Sequence, residues 1–206
     1  MKQNKGKVVI ISSPSGGGKT SICRKLLSTT RKKAGWRFSI SDTTRAMRVG
    51  EKDGREYNFV TEKEFKEKVR ANYYAEHFKV HLYNYGTPRK PLESVLKHGG
   101  VLLLDVDVKG AMKLKKEYPN AITIFIMPPS VKELRKRLIQ RGTETKQQLK
   151  IRFENAIKEL MLFKKFDYAV VNKELNTAVD EVLAIIKSHH CRTDILNAEQ
   201  IKNIGV

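Results

Sequence analysis

Residues 13–21 read Ser-Pro-Ser-Gly-Gly-Gly-Lys-Thr-Ser and follow, after Ser12, the β-branched run Lys7-Val8-Val9-Ile10-Ile11. A glycine run between a buried strand and a helix leaves the chain few alternatives. Successive backbone N–H groups can turn inward on a phosphate chain, and the helix that starts near Gly18 adds the partial positive charge of its N-terminus. Lys19 is spaced to reach β and γ phosphates, and Thr20 to ligate magnesium. The candidate ATP-binding residues are therefore Ser13, Pro14, Ser15, Gly16, Gly17, Gly18, Lys19, Thr20 and Ser21. The pattern GxxxxGK[ST] wants glycine where Ser13 stands, while Gly18, Lys19 and Thr20 keep the register.

The rest of the chain repeats the same alternation. A helix is expected from about Gly18 to Thr30, and further strands at 38–41, 100–106, 121–127 and 168–172, with helical patterns between most of them. Continuous Val, Ile and Leu runs belong to strands covered on both faces. Alternating strand and helix then gives an α/β fold, a parallel sheet flanked by helices, and the glycine loop after its first strand makes the expected type that of a P-loop NTPase. Two stretches break the pattern. Between Ser41 and Pro88 the segments turn short, polar and aromatic (REYNFV, AEHFKV, YNYGT), which suits a small antiparallel insertion; between Pro128 and Phe166 they are helical and charged. At 206 residues the chain has room for one large domain, or a core with insertions, without disulfide support.

The 41 Lys and Arg against 22 Asp and Glu leave a net charge of +19. Such a field attracts polyphosphates. The excess, however, sits beside glutamates in helical stretches such as EKEFKEKVR at 62–70 and KELRKRL at 132–138. That pattern marks solvated helix faces, and no zinc-finger spacing or RNA-recognition signature points to a specific nucleic-acid partner. The apolar run behind the basic N-terminus is too short for a signal peptide, and no stretch reaches the length of a membrane span. Two cysteines, Cys23 and Cys191, form no disulfide framework or zinc set, so a reducing, cytoplasmic setting is expected, with Cys23 buried on the first helix. His77 and His81 are four apart in an extended stretch, where that spacing does not converge on a metal.

A second phosphate-type signature is GVLLLDVD at 100–107, an apolar strand that delivers Asp105 and Asp107 to its carboxyl end. Ligands of open α/β sheets bind at that edge, where a strand-terminal aspartate can hold the magnesium shell; an aspartate there also commonly caps the next helix.

These blocks, together with SDTTRAMRVGEKDGREYNFV at 41–60, YNYGTP at 83–88, PPSVKELRKRLIQRGTET at 128–145 and VVN at 170–172, resemble a guanylate kinase in content and order, from about Lys7 to Lys187. The resemblance implies reversible transfer of the ATP γ-phosphate to GMP with Mg2+, within purine nucleotide metabolism and GMP recycling. It implies a nucleotide-binding core at 1–40, 88–128 and 166–190, a mixed α/β GMP-binding insertion at 41–87, a helical lid at 129–165 and a tail at 191–206 of unread role. A monomer and a homodimer both fit. A phosphopeptide-binding scaffold on the same fold is the alternative, but such scaffolds have usually lost the phosphate loop that stands here.

Residue by residue, the resemblance makes Arg45, Arg48, Tyr57 and Tyr85 ligands of the GMP phosphate, with Glu51 supporting the arginines. Paired guanidinium groups suit a phosphate dianion. Ser41, Glu76, Thr87 and one or both of Asp105 and Asp107 match positions around the guanine base, and Thr20 with Asp105 would serve the metal. The catalytic cations would be Lys19, Arg45, Arg137, Arg141 and Arg152, since phosphoryl transfer rests on positioning and cationic clamps. Asn172, after the last strand, would hold the adenine or the lid. Met47 and Asn84 depart from the family pattern, where a proline and an aromatic are usual.

Overall fold

The computed structural model describes residues 6–30, 35–80, 82–140 and 146–191. In chain order, β1 (Lys7–Ser12) passes through the glycine loop into α1 (Lys19–Thr30) and β2 (Trp36–Ser39). There follow β3 (Asp42–Thr43), β4 (Asn58–Phe59), α2 (Glu62–Arg70), β5 (Tyr74–Val80) and β6 (Tyr83–Pro88). The chain then returns through α3 (Arg89–His98), β7 (Val101–Asp105), α4 (Val108–Glu117) and β8 (Ile122–Met127). It closes with α5 (Val131–Ile139), α6 (Lys146–Leu160), a 3-10 turn, β9 (Tyr168–Val171) and α7 (Leu175–Ser188).

The apolar runs form a five-stranded sheet in the order β2-β7-β1-β8-β9, and every pairing in it is parallel. The period of two along a strand explains why the runs are apolar throughout. Val9 and Ile11 of β1 pack with Ile22 and Leu26 of α1 and with Val179 and Val182 of α7. Val8 and Ile10, pointing the other way, pack with Leu92 of α3 and with Ala111 and Leu114 of α4. β1 is thus covered by helices on both faces and by strands on both edges, so the loop it carries starts from the most constrained place in the molecule.

β2 lies two residues earlier than expected. Its partner β7 begins at Val101 opposite Trp36 and pairs as far as Ser39 with Leu104, after which the chain leaves for a second sheet and Ser41 falls between the two. That second sheet has the order β4-β3-β6-β5. The expected antiparallel insertion is corrected here to a mixed one: β6 runs antiparallel to β3 and β5, but β3 and β4 are parallel. The 14 residues between Thr43 and Asn58 form a wide connection rather than a hairpin, and so return the strand in the same direction. Thr61 and Glu64 close a reciprocal capping box that starts α2.

The charged helical segment packs its own apolar strip, Leu134 and Leu138 of α5 against Ala156, Leu149 and Phe153 of α6. Arg141 and residues 192–206 of the tail lie outside the described residues. Among the described residues no helix is long and apolar enough to cross a membrane.

Candidate active site

The glycine loop wraps tightly at the carboxyl end of β1. Gly17 donates its N–H to the carbonyl of Pro14 at 2.9 Å, and the Ser13 hydroxyl turns back to the same carbonyl at 3.0 Å. Ser13 is buried and its side chain satisfied, which explains how the loop does without a glycine there. Gly18 has φ +94°, and a Cβ on it would stand 2.2 Å from Asn172 Nδ2. Only glycine fits both the conformation and the approach.

Beyond the loop, Lys19 Nζ contacts Asp105 Oδ1 at the end of β7, and Thr20 Oγ1 donates to Asp105 Oδ2 at 3.3 Å. Burial works against the charge on Lys19, but the contact with Asp105 outweighs it and raises the lysine pKa. Ser21 is exposed on the first turn of α1, and Cys23 behind it is buried, with its thiol pKa raised by that burial.

Two helices reach the loop from the other side. Arg137 of α5 is held by Glu133 one turn earlier at 3.0 Å and donates to the main-chain carbonyl of Asn172 at 3.2 Å. Asn172 is buried and gives its side-chain amide to the Gly17 carbonyl at 3.2 Å. Arg152 of α6 donates to the Ser15 hydroxyl at 2.9 Å, and Glu159, seven residues along the same helix, accepts from the Ser15 N–H at 3.1 Å. The sequence reading missed Glu159. Its signal was the spacing of two helical turns from Arg152, which puts both residues on one face.

A cavity of about 150 Å³ opens between this loop and the second sheet, and its lining includes Lys19, Asp105 and Asp107 on one side and Ser41, Tyr57, Glu76 and Tyr85 on the other. Glu76 retains only 5% of its exposure. Its Oε1 accepts from the Thr87 hydroxyl at 2.6 Å, Thr87 in turn lies 3.5 Å from the Ser41 hydroxyl, and Oε2 has no protein partner among the described residues. Burial pushes the Glu76 carboxyl up to about 7, against the pull of the Thr87 hydrogen bond. Asp107 caps α4 by accepting from the Gly110 N–H at 2.7 Å, and it also lines the cavity. Burial raises its pKa as well.

Arg45 is buried, its Nη2 donating to both oxygens of Glu51 at 2.9 and 3.0 Å, with its guanidinium 5.5 Å from the Tyr57 ring centre. Glu51 resists the effect of its own burial through that bond, and its pKa falls. Tyr57 and Tyr85 meet edge to face at 5.7 Å. Arg48 does not join them: its side chain is exposed, and its main chain meets Glu51, the N–H donating to the carboxylate at 2.8 Å and the carbonyl accepting from the Glu51 N–H at 3.1 Å. Asn84, at the position where an aromatic was expected, pairs through its main chain with Thr44 and through its amide with Glu62.

A family model described as guanylate kinase matches residues 5–189. The chain belongs to the guanylate kinase family. It is 41% identical to the guanylate kinase of Clostridium perfringens strain 13 over 202 residues, covering 98% of this chain and 92% of that protein. With the guanylate kinase of Thermotoga maritima it shares 42% over 188 residues, 91% of this chain and 89% of the other. The crystal structure of guanylate kinase from Anaplasma phagocytophilum superposes with a TM-score of 0.77 at 32% identity, over 93% of this chain and 89% of that one. The chain is therefore a nucleoside monophosphate kinase with a P-loop NTPase fold.

Proposed function

We propose that the cleft between the glycine loop and the second sheet transfers the γ-phosphate of ATP to GMP, giving ADP and GDP, with the residues above in distinct roles. The observation that carries this reading is the placement of Glu76 and Lys19 in one cavity, a buried carboxylate at one end and the loop cation at the other. Guanine presents N1–H and its exocyclic N2 amine as adjacent donors, and Glu76 accepts them, with Ser41 and Thr87 lining up behind it. Arg45, preoriented by Glu51 and packed on Tyr57, faces the phosphate of GMP together with Tyr57 and Tyr85; Arg48 joins by turning its exposed side chain inward.

On the ATP side, the loop N–H groups of Gly16 and Gly18, joined by that of Ser15 once Glu159 releases it, hold the β-phosphate, and Lys19 moves from Asp105 to the β and γ oxygens. Thr20 and Asp105 offer a hydroxyl and a carboxylate side by side, the hard oxygen donors that suit Mg2+, whose charge would offset that of the transferring group. Arg137 and Arg152, with Arg141 beside them in the sequence, supply cations to the equatorial oxygens as the helical segment 129–165 closes and excludes water. Both cysteines are free thiols, which fits a reducing compartment, so we place the enzyme in the cytoplasm.

The deciding assay couples ADP release to a reporter with GMP, AMP, UMP and CMP each supplied beside ATP. Turnover confined to GMP is expected; equal use of AMP would remove Glu76 from its role.

A further inference from the structure

Asp42 has no role in the reading above, yet its carboxylate is fully buried. It accepts from three elements at once: Asn58 of β4 on Oδ1 at 2.8 Å, and Lys68 of α2 and the Tyr74 hydroxyl of β5 on Oδ2 at 2.7 and 2.8 Å. A buried carboxylate is tolerated only when it is hydrogen-bonded and paired, and here three donors, one of them the Lys68 ammonium, reach it. The bond to Tyr74 crosses a strand. β6 lies between β3 and β5, and Tyr74 reaches Asp42 because position 86 is glycine, where a Cβ would come within 2.7 to 2.9 Å of the tyrosine ring.

Each member of this tie neighbours a residue of the base pocket. Asp42 follows Ser41 in the chain, Gly86 precedes Thr87, and Tyr74 stands two residues before Glu76. β3 is only two residues long, so its own ladder holds it weakly. We propose that Asp42 is the positioning residue of the base pocket: by tying β3 to β5 over Gly86, it sets the spacing of Ser41, Thr87 and Glu76, and with it GMP affinity and the preference for guanine. The inference rests on Glu76 as the base-reading carboxylate.

Asp42→Asn keeps the volume and turns one acceptor into a donor facing other donors. KM for GMP is expected to rise about 10- to 100-fold, the scale of a charge-assisted hydrogen bond lost in a buried site. KM for ATP should stay within about twofold and the ratio of kcat/KM for GMP over AMP should fall, since only one substrate's pocket has changed. Tyr74→Phe leaves the ring over Gly86, removes only the hydroxyl, and should shift both quantities the same way by less; it carries the test if Asp42→Asn does not fold. An unchanged KM for GMP in both variants, or equal rises for GMP and ATP, overturns the proposal by reducing Asp42 to an anchor of the fold. Glu76→Gln separates the two levels: if that variant also uses GMP normally, the pocket itself has been misread, whereas a crippled Glu76→Gln beside a normal Asp42→Asn refutes the positioning role alone.

Discussion

Lys19 and Asp105 are in direct contact across the carboxyl edge of the central sheet, where β1 and β7 end side by side and Ile11 pairs with Asp105. The loop cation is thus held in place by a carboxylate, which a polyphosphate would replace in the proposed reaction. Lys19→Met should lower kcat by roughly 10² to 10³ or more, the loss typical of one preorganised charge-stabilising group. Its circular dichroism spectrum should match that of the unmodified protein. Near-normal turnover in steady-state kinetics would contradict the role.

Gly18→Ala is expected to abolish nucleotide binding while the fold survives. The new methyl would sit on Asn172 at a positive φ, so the loop must open and its N–H groups lose their common aim. Isothermal titration with ATP reads the loss directly, and wild-type affinity would show that the loop yields.

Arg152→Ala should cost roughly 10² to 10³ in kcat with little change in either KM, because a cation aimed at the transferring group acts mainly in the transition state. Arg152→Lys should restore only part of it, since an ammonium lacks the planar fork. A large rise in KM for ATP with unchanged kcat would assign Arg152 to ground-state binding instead.

The pH dependence of GMP use follows from Glu76. Its pKa is raised from the ordinary 4.5 to about 7 by burial, so below about pH 7 the free enzyme carries the protonated form, and the proton competes with guanine. KM for GMP should therefore rise as pH falls through that value, and Glu76→Gln should flatten the profile. The sign for stability is opposite. The folded state binds this proton more tightly than the unfolded one, so the contribution is full below pH 4.5 and is lost as pH rises toward 7. Melting curves of the unliganded protein at pH 5 and 8 should show a drop across that window that is smaller in Glu76→Gln.

Much of this architecture was legible because the relevant physics is local. β-branched runs bounded by glycine read as buried strands, and both the phosphate loop and the Asp105 strand fell where their patterns placed them. What could not be read depends on contacts distant in sequence. The parallel pairing of β3 with β4 is set by a wide connection with no turn motif, and β2 stops at Ser39, one residue short of the end of β7, where the chain leaves for the second sheet. Asp42 looks like an ordinary polar residue beside Ser41 until Lys68 and Tyr74 fold onto it. Arg45 and Arg48 are three apart and chemically alike, yet Glu51 and Tyr57 bury one and leave the other in solvent.

Ser15 is gripped twice by α6, through its hydroxyl by Arg152 and through its main-chain N–H by Glu159. The phosphate loop therefore has its own internal competitor: a carboxylate occupies one of its donors, as an oxygen of an incoming anion would. Any compound designed to lodge at that end of the loop must displace a side chain belonging to the enzyme, and its affinity would report the strength of this grip as much as the fit of the compound.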